Sequence, residues 1–447
     1  MKVIVIGAGT GGLALAQSLN QSDIEVAVYE RDRTRRDGLF GFRVGISPDG
    51  SRALAEVLPT ELFNIFKATT AVPPRYFTML TEQRKELLSI GGFDESQPGD
   101  PGAERSVSRM TLRQVLLTGL EKVVHFDKKF THYQVNNDQS VTAHFDDGST
   151  ATGDLLVGAD GSNSAVRKQY LPEAKLKETG LFGVTAKLPL TEESRKLLTP
   201  KVLRGVTMVQ APGGDSSIIH VMEFPWDADG APKSGAGSND AELLKSWPGM
   251  TFDNTRDYIM LGFSSHRKNL PENFMDLDSQ ALHTLLQERT AAWHPDLHEL
   301  FRRSDPSSCF PLNIRTTERL EPWPSSQVTL IGDAIHTMTP GLGVGANTAL
   351  QDAQILASNL RSGMSAIDSV SNYETQLHGY AWTQVEESLK RFNANDAIYN
   401  TGFRGRFASF AMRTGMRLVN AVPPLKKRMA ATMNKERDRS ASSNAVG

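Results

Sequence analysis

The chain has a single cysteine, Cys309, among 447 residues. That excludes an internal disulfide and any cysteine cage for a metal, and it reads as a small buried apolar side chain rather than a nucleophile. No run of 18 apolar residues occurs, so no stable membrane span is expected. Neither sign of charge is in surplus. With 49 Lys and Arg against 51 Asp and Glu, the formal net charge is −2, too weak a field to point to nucleic acid. Internal repeats are lacking, and the opening "MKVIVIGAG" is too short for a secretion signal, so a cytoplasmic location is expected. What is present is an ordinary globular composition: 39% hydrophobic, 22% charged, 37 glycines and 22 prolines. The length suits two or three domains, or one large interleaved unit.

Hydrophobic periodicity divides that length. "KVIVIGA" is a continuous apolar strand, "TGGLALAQSLNQS" has helical spacing, and "EVAVYER" is a second strand, which completes a β-α-β unit. "SRMTLRQVLLTGL" reads as a helix with Leu112, Val115, Leu116 and Leu120 on one side. A further buried-type strand runs from Leu155 to Ala159. Between about Leu181 and Phe263 the texture becomes antiparallel: "LFGVTAKLPL", "KVLRGVTMVQ", "SSIIHVMEF" and "RDYIMLGF" are separated by turns and by the low-complexity "DADGAPKSGAGSND". "SQVTLIGDA" then returns to the first kind of strand, and helices follow from Tyr373. A nucleotide-binding domain is therefore expected in three segments, 1–75, 100–175 and 306–372. A substrate domain is expected over 176–305 with 76–99 contributing, a helical region over 373–435, and a disordered tail over 436–447.

The chemistry sits at the strand-to-helix turns. "GAGTGG" places Gly7, Gly9 and Gly12 between the first strand and its helix, with Thr10, Gly11 and Leu13 opening the helix. Such a turn lets a pyrophosphate approach the backbone, and the helix start offers N–H donors and partial positive charge. Glu30, 18 residues after Gly12 and followed by Arg31, ends the next strand, where a carboxylate accepts bonds from an unphosphorylated ribose, as in FAD or NAD. "DLLVGADGSNSAVR" ends a strand at Asp160-Gly161 with Ser162 and Ser164 as helix caps. "LIGDAIHTMTPGLGVGANTAL" sets Gly332-Asp333 after a strand, then the turn Pro340–Asn347 with Gly343, Gly345, Ala346 and Asn347 at the start of a helix.

In that order, the glycine fingerprint, "GADG…VR" and "GDAIHTMTPGLGVGAN" resemble the class A FAD-dependent monooxygenases, the p-hydroxybenzoate hydroxylase family. The resemblance covers residues 1–60, 105–170 and 327–360. It implies an α/β fold: a Rossmann-type FAD-binding domain with an inserted antiparallel β-sheet substrate domain and C-terminal helices. It also implies that Gly332-Asp333 contacts the ribityl and pyrophosphate part of FAD, that Pro340–Asn347 lies against the flavin ring, and that Arg43 and Arg109 reach the phosphates. Asp160 would position both FAD and the nicotinamide cofactor, and His336 would be structural. The chemistry implied is reduction of FAD by NADH or NADPH, addition of O2 at the flavin C4a, and transfer of one oxygen from the hydroperoxide to a hydrophobic aromatic or alkene. No second dinucleotide fingerprint, halogenase W-x-W-x-I-P or Baeyer–Villiger F-x-G-x-x-x-H pattern occurs. The alternative is a flavin reductase or dehydrogenase of the same superfamily without oxygen insertion.

Alternation in "SSIIHVMEF" places Ile218, His220, Met222 and Phe224 on one face of a strand. Met208 and Gln210, or Tyr258 and Met260, share that pattern. With Pro340, these residues are candidates for the wall of a small-molecule pocket, and His220 for a substrate-bonding or proton-accepting group; ordinary core packing is the competing reading for each. The basic segment "FRGRFASFAMRTGMRLVNAVPPLKKRM" is either a membrane-surface or partner helix, or a helix capping the pocket with its arginines in solvent. A monomer or homodimer is expected.

Overall fold

Val3, Ile4, Val5, Leu155, Leu156 and Val157 have no exposed surface, so the strands that carry them lie at the centre of a sheet covered on both faces. In the computed structural model these strands, Lys2–Ile6 and Leu155–Gly158, pair in parallel. Val328–Leu330 extends the sheet on one side; Glu25–Tyr29 and Val124–His125 extend it on the other. The structure describes the chain except for residues 36, 38–41, 92–99, 101, 228–230, 232, 234–237, 254, 341–342, 394–402 and 443–447.

A seven-stranded sheet forms the second body. Its order is Phe310–Thr317, Leu176–Pro189, Tyr258–His266, Ser216–Met222, Gly205–Gln210, Tyr76–Thr81 and Glu86–Gly91. Neighbours are antiparallel except for Gly205–Gln210 beside Tyr76–Thr81. The fold is thus α/β, with a parallel nucleotide-type sheet, a large antiparallel-dominated sheet between its segments, and helices at the C-terminus. Small sheets complete it, among them the ribbon Arg43–Ile46 with Arg105–Ser108.

The period of two gives the large sheet two different faces. Ile219, Val221, Ile259, Leu261 and Phe263 point into a core closed by Leu282, Leu286, Leu297 and Leu300 of the helices Ser279–Thr290 and Pro295–Arg302. Ile218, Met222, Tyr258 and Met260 instead join the core of the nucleotide-binding body. Register aligns this face across strands: Met208 opposes Ile218, Gly262 opposes Ile218, Met260 opposes His220, and Tyr258 opposes Met222.

Two local expectations change. "KVLRGVTMVQ" is a short helix, Pro200–Leu203, before its strand, because the Thr199 hydroxyl caps the amide of Val202 and Pro200 suits the first helical position. Residues 436–442, expected to lack order, continue the helix Pro423–Ser442, while 443–447 lie outside the described residues. Much of the low-complexity segment around 228–237 also lies outside them. Cys309 is buried in the outer core of the large sheet, where burial pushes its thiol up to about 12.

Candidate functional site

The sheet edge at which Lys2–Ile6 ends is open, and there the structure has a cavity of about 460 Å³. Its walls are the fingerprint turn (Gly7, Ala8, Gly9, Thr10), the end of the next strand (Glu30, Arg31, Asp32), the helix start at Arg109, and Asp160-Gly161. Eight of the residues expected from sequence therefore meet in one place: Gly7, Gly9, Thr10, Glu30, Arg31, Arg109, Asp160 and Gly161.

The glycines there answer to space. Gly7 has φ +107°, and a Cβ on it would lie 2.5 Å from the carbonyl oxygen of Ala159. A Cβ on Gly12 would lie 2.2 Å from the carbonyl oxygen of Gly7, so helix and strand touch without a side chain between them. Gly9 has room, its nearest neighbour being 3.9 Å from a built Cβ; that space is the approach to the helix start. Gly11 packs instead against Ala349, and Leu13 is fully buried, so both serve packing.

Side chains complete the cradle. Glu30 is buried, accepting from the amide of Ala8 at 2.6 Å and from that of Asp32 at 3.0 Å. Arg113 ties the same corner together, its guanidinium donating to Asp32 at 3.0 Å and to the carbonyl of Ala8 at 3.4 Å. Asp160 Oδ2 accepts from the amides of Ala165 and Val166, at 2.7 and 3.2 Å, and so caps the helix Ala165–Tyr170. Its Oδ1 is buried without a partner, and burial pushes the carboxyl above its ordinary value. An orphaned acceptor in a glycine-lined cavity fits a ligand bearing hydroxyls.

The two glycine-flanked helices differ from their neighbours at the N-terminus. Helices Pro48–Val57, Arg109–Leu117 and Ala165–Tyr170 each carry a serine cap: Ser47, Ser108 and Ser164. Thr10–Leu19 starts at Gly9, and Gly345–Arg361 starts at Val344, neither with a side-chain cap. Their first N–H groups are left for a ligand, and each helix end carries roughly half a positive charge.

The late loop lies beside the cavity rather than in its wall. Gly332 (φ +62°) abuts Ala349, Asp333 is exposed and points toward Gly345, and Pro340 is exposed. Gly343 has φ +67°, while Leu342 lies outside the described residues. Asn347 turns inward: its amide donates to the carbonyls of Gly45, at 2.9 Å, and Gly343, at 3.3 Å, and its oxygen accepts from the amide of Ser47 at 2.8 Å. Its side chain is a clamp between this loop and the ribbon, and its backbone, with those of Gly345 and Ala346, forms the uncapped start of the helix.

Arg43 departs from expectation. It does not line the cavity; its Nε donates to Ser106 Oγ at 2.8 Å across the ribbon, because Gly45 leaves space over which the guanidinium lies. Ser106 Oγ is also 3.0 Å from His220 Nε2. His220 is 1% exposed with Nδ1 unpartnered, and burial together with the Arg43 charge holds it well below its ordinary value, hence neutral near pH 7. Met222 and Tyr258 are packed under the same ribbon, Tyr258 donating to the carbonyl of Phe42. Phe224 is buried past the strand's end. Met208 and Ile218 are half-buried, and this end of the face is the less covered one. Gln210 is buried, and its carbonyl accepts from Arg413 at 2.6 Å.

Two groups that the sequence did not single out, Asp352 and Tyr380, are decisive behind the late loop. His336 Nε2 lies 2.6 Å from Asp352 Oδ2, both without exposed surface; the same oxygen accepts from the amide of Gly332 at 2.7 Å, and Tyr380 donates to Oδ1. Burial alone would lower the His336 pKa, but the Asp352 carboxylate and its hydrogen bond prevail and raise it. An aspartate on the inward face of an apolar helix was the available signal. Arg413, expected in solvent, is paired with Glu82 at 2.8 Å, so the C-terminal helix is latched onto the large sheet.

Comparison with known proteins agrees with this geometry. The FAD binding domain family model matches residues 105–388. A solved chain from Photorhabdus luminescens, described as an FAD-containing monooxygenase, is 32% identical, covers 88% of this chain and 98% of its own, and superposes with a TM-score of 0.73. The dual O-methyltransferase/FAD-dependent monooxygenase elcB of Phaeosphaeria nodorum is 31% identical over 93% of this chain and 46% of its own. The chain spans about half the length of the first curated relatives it matches. The FAD-dependent urate hydroxylase of Klebsiella pneumoniae is 26% identical over 94% of this chain and 97% of its own.

Proposed function

Because the chain belongs to the class A FAD-dependent monooxygenases, we propose that it uses NADH or NADPH and O2 to hydroxylate or epoxidise a hydrophobic aromatic or alkene small molecule. The observation that carries this reading is the two-faced sheet. One face closes its own core, whereas the other turns toward the FAD-binding body. A chain of contacts links them: Asn347 holds Gly45, the ribbon joins Gly45 to Ser106, and Ser106 meets His220 on the sheet. A ring held at Gly343–Asn347 thus neighbours the apolar face that a flat substrate needs.

Bound FAD supplies the oxygen-activating redox chemistry. The protein's residues do the rest. Glu30 and the orphaned Asp160 Oδ1 take the hydroxyls of the cofactor, and the uncapped start of Thr10–Leu19 takes its diphosphate. The uncapped start of Gly345–Arg361 stabilises negative charge on the ring by roughly 0.3–1 kcal/mol at low burial and up to about 2 when partly buried. Met208 and Ile218 wall the substrate space and keep water out. His220 acts through Ser106 to hold Arg43, a positioning role for a neutral, buried imidazole. The one substrate named among these relatives, urate, favours a heterocyclic aromatic among the candidates.

The experiment is nicotinamide oxidation by the flavin-loaded protein across a panel of phenolic and polycyclic compounds under labelled O2. Substrate-stimulated oxidation with one labelled atom in the product is the expected result. Stimulated turnover with no label in any product overturns the monooxygenase reading in favour of a reductase.

A further inference from the structure

The C-terminal helices present two apolar surfaces, and the protein covers one of them. On the helix Phe403–Ala421, Met416 and Val419 pack against the sheet-edge cluster of Met79, Leu87, Leu88 and Ile90. Arg413 and Asn420 fix that face, Asn420 by donating to Glu86 at 3.0 Å and accepting from the amide of Ser89 at 3.2 Å. Phe407 lies nine residues before Met416, about two and a half turns, and so on the opposite side. It is 64% exposed, Phe410 67% and Leu418 59%, all three on one outward stripe. Leu425, on the following helix, is 42% exposed.

Charge on these helices has one sign as far as Lys435, with Glu436 and Asp438 following only near the end of the second. Between Phe403 and Lys435 there are eight Lys and Arg and no Asp or Glu, in a chain whose net charge is −2. Arg413 is spent on Glu82, but Arg417, Lys427 and Arg428 are exposed beside the apolar stripe. An outward stripe of phenylalanine and leucine flanked by cations matches the acyl–headgroup boundary of an anionic bilayer, where rings bury shallowly and Lys and Arg meet phosphate and carboxylate. A second copy on this face would press like charges together. A nucleic acid would leave Leu418 and Leu425 against a solvated backbone. Among the described residues no helix is long and apolar enough to cross a membrane, so the contact would be peripheral.

We propose that the outward face of the C-terminal helices, centred on Phe407, Phe410 and Leu418, seats the protein on anionic lipid surfaces. This holds whatever the substrate is. The test is vesicle flotation of the full chain loaded with FAD, using phosphatidylserine–phosphatidylcholine vesicles beside pure phosphatidylcholine ones. The expected result is flotation with the anionic vesicles at low salt, weaker by about tenfold on the neutral ones and falling as the screening length shrinks to about 3 Å near 1 M salt. Phe407→Ser with Phe410→Ser and Leu418→Ser should lose flotation, as should Lys427→Glu with Arg428→Glu, while flavin binding stays unchanged and reports an intact fold. The proposal is overturned if the chain does not float with anionic vesicles, or if the apolar triple variant floats like the parent. It is equally overturned if light scattering shows a self-association that the triple variant abolishes, which would assign the stripe to a second copy.

Discussion

The nucleotide cavity and the large sheet's inward face are both pieces of binding surface, built on different principles. The cavity is made mostly of backbone: two glycine turns, the uncapped start of Thr10–Leu19, and carboxylates fixed by amides. The sheet face is made of side chains whose exposure depends on what crosses above them. Where the ribbon crosses, Met222 and Tyr258 are closed; where it does not, Met208 and Ile218 remain half-open. A backbone site tolerates little change at its glycines, whereas a side-chain site can be altered residue by residue.

That contrast can be broken hardest at Gly12. Gly12→Val puts branched carbons where even a Cβ meets the Gly7 carbonyl, and flavin titration should show FAD affinity reduced by 100-fold or more. Thermal unfolding should show a loss of roughly 3 kcal/mol or more, in the range of overpacked and strained sites. A variant that binds FAD normally would mean the helix start is not where the diphosphate sits.

Next in size is the buried pair behind the late loop. Asp352→Ala strips His336, Tyr380 and the Gly332 amide of their shared partner and should cost about 3–5 kcal/mol in denaturant unfolding. Here pH sharpens the comparison. The native His336 pKa is raised, so its contribution is full below the unfolded histidine's value of about 6.5 and is lost as pH rises through the raised native value. His336→Gln should flatten that slope in unfolding titrations taken from pH 5 to 9.

Asp160→Asn should have an intermediate effect. The asparagine oxygen still caps the helix, so stability should change by no more than about 1 kcal/mol. FAD affinity should fall about tenfold, because the orphaned carboxylate oxygen becomes an amide donor. Unchanged affinity would remove Asp160 from the cofactor's contacts.

The smallest effect on cofactor binding is expected on the sheet side. Arg413→Ala unlatches the C-terminal helix from Glu82 and Gln210 and should raise the substrate KM about fivefold to tenfold, consistent with roughly 1–1.4 kcal/mol of lost positioning, with FAD affinity unchanged. An equal loss of both would show that the two regions are not separable. Stopped kinetics with saturating flavin distinguishes the cases.

Legibility followed the same division. The turn at Gly7–Gly12, Glu30, Asp160-Gly161 and the uncapped helix at Gly345 could be read from the chain because each depends on a local rule: a glycine where a Cβ would collide, or an acid at a strand end. Arg43 could not be placed, since an arginine's long side chain reaches either toward the cleft or across the ribbon, and Ser106 lies 63 residues away. Arg413 was misjudged for the same reason, its partner Glu82 lying 331 residues earlier. The alternation of Ile218, His220 and Met222 correctly put them on one face, but alternation says nothing of what covers that face.

By itself, the sequence determined the backbone of this protein: parallel strands ending in glycine turns, an alternating sheet with one face for each core, and the order in which those pieces recur. Those features follow from steric exclusion and hydrophobic periodicity, which act within a few residues of each other. Only the tertiary structure decided which polar side chains are buried together, as with Asp352 between His336 and Tyr380 or Ser106 between Arg43 and His220. Desolvation gives those pairings their strength, and desolvation depends on the packing of segments that are distant along the chain.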